Sequence, residues 1–117
     1  MDSTIDFVRG FFTTDFSEQS LPFIAQENLK LPRHLAAQLL RDTAFGDWRD
    51  VIKRIRCRTL VVGGDASIFT SGSQRWIASQ IPDAQVEIFT ADEGGSHFMF
   101  LENPDRFDSI VLSFLSS

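Results

Sequence analysis

The sequence has one cysteine, Cys57, and no tyrosine. A single thiol excludes an intrachain disulfide and fits a reducing, cytoplasmic compartment. Basic residues are outnumbered by acidic ones, 11 to 16, leaving a formal net charge of −5. With no basic run anywhere, this balance argues against nucleic acid and against an anionic membrane surface as partners. No apolar run approaches membrane-spanning length. Met1-Asp2-Ser3 lacks a positive n-region, and Arg9 interrupts the apolar stretch from Phe7 to Phe12, so no secretory signal is read. Metal-ligand spacings, phosphate loops and dinucleotide fingerprints are also missing. The expectation is therefore no metal and no cofactor. There is no internal repeat, low-complexity tract or linker.

What is present suits one domain. A chain of 117 residues with 43% hydrophobic and 23% charged residues is long enough, and apolar enough, for a modest core. The aromatic set is skewed to twelve Phe and two Trp. Such a set serves either as core filler or as the lining of an apolar ligand pocket, and composition does not separate the two.

The first half reads as helical throughout. Residues 3–13 form a predicted helix, with Ser3 as cap, Asp6 three residues later, and Ile5, Val8 and Phe12 on one face widened by Phe7 and Phe11. Ser17-Glu18-Gln19-Ser20 looks like a second helix start, with Pro22 in a first turn or at a kink. Leu31-Pro32 opens a third helix that places Leu35, Ala36, Leu39 and Leu40 together. His34 falls on its polar side and reads as a surface residue, having no second ligand nearby. Gly46 and Asp47 end that helix and cap another, in which Trp48, Val51, Ile52 and Ile55 follow helical spacing.

The character changes at Thr59-Leu60-Val61-Val62-Gly63-Gly64, a β-branched run closed by glycines that reads as a strand buried on both faces. A helix is expected from Ser71 to Ile81, with Ser71 or Ser73 as cap and Pro82 as stop, then a second strand over 85–90. Asn103 caps a final helix with Pro104 in its first turn, and Phe107, Ile110, Val111, Phe114 and Leu115 form its apolar stripe. Strand–helix–strand–helix order makes the two strands parallel through a right-handed crossover. Two strands alone leave open edges, so association with other polypeptide is expected.

In open parallel sheets, ligands bind beyond the carboxyl ends of the strands. Two loops lie there: Gly63-Gly64-Asp65-Ala66-Ser67, and Asp92-Glu93-Gly94-Gly95-Ser96-His97. Glycines at 94 and 95 allow a sharp turn. An aspartate on one loop beside a histidine on the other fixes the imidazole tautomer and stabilises its protonated form, the arrangement of a general base. The apolar run Phe98-Met99-Phe100-Leu101 behind His97 is unusual for a surface loop. Asp92 and Glu93 read as solvated, and Glu102 as a favourable charge at the start of the last helix.

These residues carry a resemblance. Leu60-Val61-Val62-Gly63-Gly64, a helix ending Ile81-Pro82, then Gly94-Gly95-Ser96-His97 and Leu101-Glu102-Asn103-Pro104 with a closing amphipathic helix are similar to the C-terminal part of an α/β-hydrolase. The branch most resembled holds esterases and cofactor-free haloperoxidase-like enzymes. Residues 1–57 look like the helical cap inserted before the last two strands, and 58–117 like the C-terminal part of the core. The implied fold is a partial α/β-hydrolase: a helical cap, then strand–helix–strand–helix with two parallel strands. By the same resemblance, His97 is the catalytic histidine, Asp65 stands near the acid position, and Phe98, Phe100, Phe11 and Phe12 border a pocket for a small apolar ester. The family's acid usually falls three residues after the strand-ending glycine, and that position is Ser67 here.

The family nucleophile sits in Gly-x-Ser-x-Gly, a motif missing from these 117 residues. Ser96 adjoins His97 in sequence, Ser71 and Ser73 read as caps, and Cys57 precedes its strand, at the far end of the sheet from His97. Without nucleophile or oxyanion donors, little activity is expected from these residues alone. The expected partner is a complementary hydrolase half bearing the nucleophile, or a second copy of the chain. The rival reading is a non-catalytic oligomerisation or interaction module on a hydrolase-derived scaffold, favoured by the open sheet edge and the over-apolar first helix.

Overall fold

In the computed structural model, which describes residues 2–16 and 18–117, two parallel strands form the centre of the second half. Strands β1 (Thr59–Gly64) and β2 (Ala84–Phe89) pair in register from Thr59 opposite Ala84 to Gly64 opposite Phe89. The connecting helix α5 (Ser71–Gln80) packs on both strands, as a parallel crossover requires. Its cap is Thr70, whose hydroxyl accepts the Ser73 N–H at 3.2 Å, rather than Ser71 or Ser73 as expected. Thr70 wins because its extended backbone stands just outside the helix, where a cap must lie.

The final helix α7 (Pro104–Ser116) begins as expected, with Asn103 accepting the Arg106 N–H. It is fastened to the sheet at both ends by arginines. Arg58, just before β1, donates to the carbonyl oxygens of Phe114 and Ser117 at 2.7 and 2.6 Å and lies 4.7 Å over the Phe114 ring. Arg106 stacks 4.1 Å over the Phe89 ring and pairs with Glu87 and Glu93. Phe107, Ile110, Val111 and Phe114 are half-buried, while Leu115 at the end of the stripe is exposed.

The first half is helical: α1 (Asp2–Arg9), α2 (Leu21–Leu29), α3 (Arg33–Phe45) and a single turn α4 (Arg49–Ile52). Three expectations need correction. Helix α1 starts at Asp2, so Ser3 lies inside it, and it stops at Arg9 rather than residue 13 because Gly10 favours a turn. Phe11 and Phe12 therefore belong to the loop after the helix. The helix expected through Ile55 closes after one turn, since Trp48 and Val51 stay largely exposed and gain little packing that would extend it. The start expected at 17–20 is replaced by α2 from Leu21, with Pro22 in its first turn; Ser17 lies outside the described residues.

Val8, Phe12 and Leu21 form a core cluster, with Ile5, Phe11, Phe16, Ile24 and Phe98 packed on it. Phe98 comes from the histidine loop, so this core joins the two halves. Val61, Ile81, Phe89 and Met99 are buried in the second half. No described residue of α3 is buried, and Leu35, Leu39, Leu40 and Phe45 all face solvent. Among the described residues, no helix is long and apolar enough to cross a membrane.

Candidate functional site

The carboxyl ends of β1 and β2 bring the two loops into main-chain contact. The Asp65 N–H donates to the Phe89 carbonyl at 2.9 Å, and the Ala66 N–H to the Gly95 carbonyl at 2.8 Å. A Cβ on Gly64 would strike the carbonyl groups of Gly95 and Ser96, and one on Gly95 those of Phe89 and Thr90. Only glycine at these two positions lets backbone meet backbone.

The loop carrying the histidine is built in short steps. Thr90 and Glu93 form a reciprocal cap around a 3₁₀ turn (Ala91–Glu93), with the Thr90 N–H donating to the Glu93 carboxylate at 2.9 Å. These bonds, with Arg106 alongside, hold the Glu93 carboxyl below its usual range. Glu93 is thus a structural acid, more engaged than the solvated residue expected from sequence. Gly94 follows at φ 73°. Ser96 is fully buried, and its hydroxyl accepts the Phe98 N–H at 3.1 Å. Ser96 is therefore a turn-forming group.

His97 comes next. Its backbone N–H donates to the Phe11 carbonyl at 3.1 Å. Its ring is surrounded by those of Phe98 at 5.0 Å, Phe69 at 5.2 Å and Phe11 at 5.3 Å. Burial among them lowers the imidazole pKa below its ordinary value, which favours the neutral form a general base needs.

Asp65 reaches the same end of the sheet, one residue from the Ala66–Gly95 bond. Its side chain is exposed, and among the described residues no hydrogen bond or ion pair links it to His97. Ser67, at the family's acid position, turns its hydroxyl to the Phe69 N–H at 3.1 Å. Of the expected aromatic border, Phe98 and Phe11 touch the imidazole. Phe12 reaches it through Phe98, at 5.4 Å between rings. Phe100 lies outside, between Phe98 and Phe107.

Two features escaped the sequence reading. Phe69 flanks His97, and its only sequence signal was an apolar Ile68-Phe69 pair in a strand-end loop. Glu102, besides preceding the last helix, uses its carboxylate to accept the backbone N–H and the hydroxyl of Thr13, 89 residues away. Beyond this contact lies a cleft of about 380 Å³ whose lining includes Thr13, Asp15, Phe16, Asp92 and Glu102. His97 is not part of that lining. Among the described residues, no group of three His, Cys, Asp or Glu side chains is arranged to hold a metal.

No family model matches the sequence, and no curated protein is significantly similar to it. Solved structures are similar. MenH from S. aureus superimposes with a TM-score of 0.74 at 24% identity, over 87% of this chain and 38% of MenH. An esterase from Exiguobacterium antarcticum superimposes with a TM-score of 0.84 at 20% identity, over 99% of this chain and 47% of the esterase. The chain thus spans less than half the length of either. Both neighbours match most of this chain. The helical first half followed by a two-stranded parallel α/β unit is therefore a partial α/β-hydrolase fold.

Proposed function

We propose that these residues supply the histidine and acid loops, and the cap, of a hydrolase acting on an ester or similar bond in a small apolar substrate. The observation that carries this reading is the junction of the two strand-end loops through Ala66 and Gly95, with His97 half-buried in an aromatic cage beside it. In this reading His97 is the general base. Asp65 orients the imidazole after its exposed carboxylate swings inward as the site is completed. Phe98, Phe11 and Phe12 line the acyl side, and Phe100 borders it from outside. Residues 1–57 act as cap and 58–117 as the C-terminal part of the core. The serine nucleophile and oxyanion donors come from a segment outside these 117 residues. No cofactor is needed, and the cytoplasm is the proposed compartment.

The test is a short-chain aryl ester assay on the 117-residue chain and on a chimaera. The chimaera joins it to the portion of the Exiguobacterium esterase that it does not cover. The chain alone is expected to show background hydrolysis. The chimaera is expected to turn over, and His97→Ala to lower that rate by about 10³-fold. A folded chimaera whose turnover ignores His97→Ala would sink the reading.

A second reading is favoured by the exposed Leu35, Leu39, Leu40 and Phe45 on α3 and by the open sheet edges. In it, the chain is a non-catalytic module that associates with copies of itself. It predicts that His97→Ala leaves association unchanged.

A further inference from the structure

The contact between Glu102 and Thr13 has no part in capping α7, because Asn103 and Pro104 already occupy those positions. Glu102 is the last residue of the short helix α6 (Met99–Glu102). Its two carboxylate oxygens are divided between two donors of one residue: the Thr13 N–H, at 2.9 Å, and the Thr13 hydroxyl. Both donors bond a half-buried carboxylate, which strengthens them relative to neutral pairs. Two residues before Thr13, the Phe11 carbonyl accepts the His97 N–H, and the Phe11 ring packs on the imidazole. The loop after α1 is therefore pinned on one side of Phe12 to the histidine loop and on the other to α6.

The imidazole lies between supports of different origin. Phe69 comes from the loop after β1, which main-chain bonds hold in place. Phe11 comes from the helical half and approaches across the boundary between the halves. We propose that Glu102 is a positioning residue: through Thr13 it holds Phe11 against His97, and so fixes the orientation and burial of the imidazole. The catalytic meaning of this inference rests on His97 being the base. The geometry does not.

Among the described residues no ion pair involves His97, so burial governs its proton affinity. Release of Phe11 then admits water to one face of the ring and favours the charged form. Loss of the carboxylate also frees the His97 N–H to open locally while the strands stay closed.

The experiment is nuclear magnetic resonance on the full 117-residue chain and its Glu102→Ala, Glu102→Gln and Thr13→Val variants. Exchange of the His97 N–H and titration of its imidazole are followed. The amides of β1 and β2 and the imidazole of His34 serve as references. In Glu102→Ala, His97 exchange is expected to quicken about tenfold against the strand amides, and its midpoint to rise toward the ordinary histidine value. Thr13→Val loses only the hydroxyl bond and should shift both readouts less, in the same direction. Glu102→Gln keeps acceptor oxygen and should stay nearer the parent. A folded Glu102→Ala protein with parental His97 behaviour overturns the proposal, as does equal acceleration of all amides. If Glu102→Ala does not fold, Thr13→Val decides: parental His97 behaviour in it overturns the proposal. None of these readouts needs turnover, so the clamp and the hydrolase reading fail separately.

Discussion

Gly64 and Gly95 shape the site through the side chains they lack. A Cβ on Gly64 would meet carbonyls of the facing loop, and one on Gly95 would meet those of Phe89 and Thr90 at the end of its own strand; a main-chain neighbour cannot move aside as a flexible side chain can. Gly64→Ala is accordingly expected to cost about 3 kcal/mol of stability, in the range of severe backbone and overpacking changes. Urea denaturation followed by circular dichroism measures it. A loss below about 0.5 kcal/mol would mean that the loops separate easily and do not depend on close approach. The glycines and His97 were legible in the sequence because turn chemistry is local. Phe69 and Glu102 were not, because what they do depends on partners 28 and 89 residues away. For Glu102 the reason is specific: a carboxylate before a helix is ordinarily explained by the helix dipole, and nothing local points to a second partner at Thr13.

At the scale of elements, the second half followed its pattern closely and the first half did so less well. Strands β1 and β2 and helix α7 were readable because glycine, proline and asparagine punctuate them and their apolar residues have neighbours to pack on. Helices α1 and α4 ended early. In α1 the spacing of Phe11 and Phe12 fits a helical face, yet Gly10 breaks the backbone before they can join it. The same two rings are then free to pack on the histidine loop. At the other end of the molecule, Arg58 ties the strand entry to the last carbonyls of α7, where a cation also complements the helix dipole. Arg58→Ala is expected to lower stability by about 1 kcal/mol, reduced from the usual worth of charged hydrogen bonds because the group is exposed. It should also speed amide exchange in the last turn of α7. Unchanged exchange there would show that the arginine only decorates the helix end.

The whole molecule is open for its size. Its radius of gyration is 15.8 Å, against about 13 Å for a compact domain of this length. It exposes 8062 Å², where a compact monomer of 13.2 kDa exposes about 6400 Å². Much of the excess is apolar: Leu39, Leu40, Phe45, Trp48, Leu112 and Leu115 are all more than half exposed. The difference exceeds the roughly 800 Å² that each partner contributes to a standard interface. The expected behaviour is association in solution, seen as a concentration-dependent mass in size exclusion with light scattering. A Leu39→Lys, Leu40→Lys double variant should weaken that association while keeping the helical signal, because both side chains already face water. A monodisperse monomer that binds no apolar dye would overturn this expectation.

The junction at Gly64 and Gly95 also bears on how such a site can change over generations. Its two loops are joined through main-chain atoms, which every residue but proline can supply at positions 65 and 66. Position 65 contributes an N–H to that join, not a carboxylate. The carboxylate at position 65 can therefore be exchanged without breaking the join. Architecture at this end of the sheet is thus set by the backbone, and the side chain at position 65 is free to vary over generations on an unaltered frame.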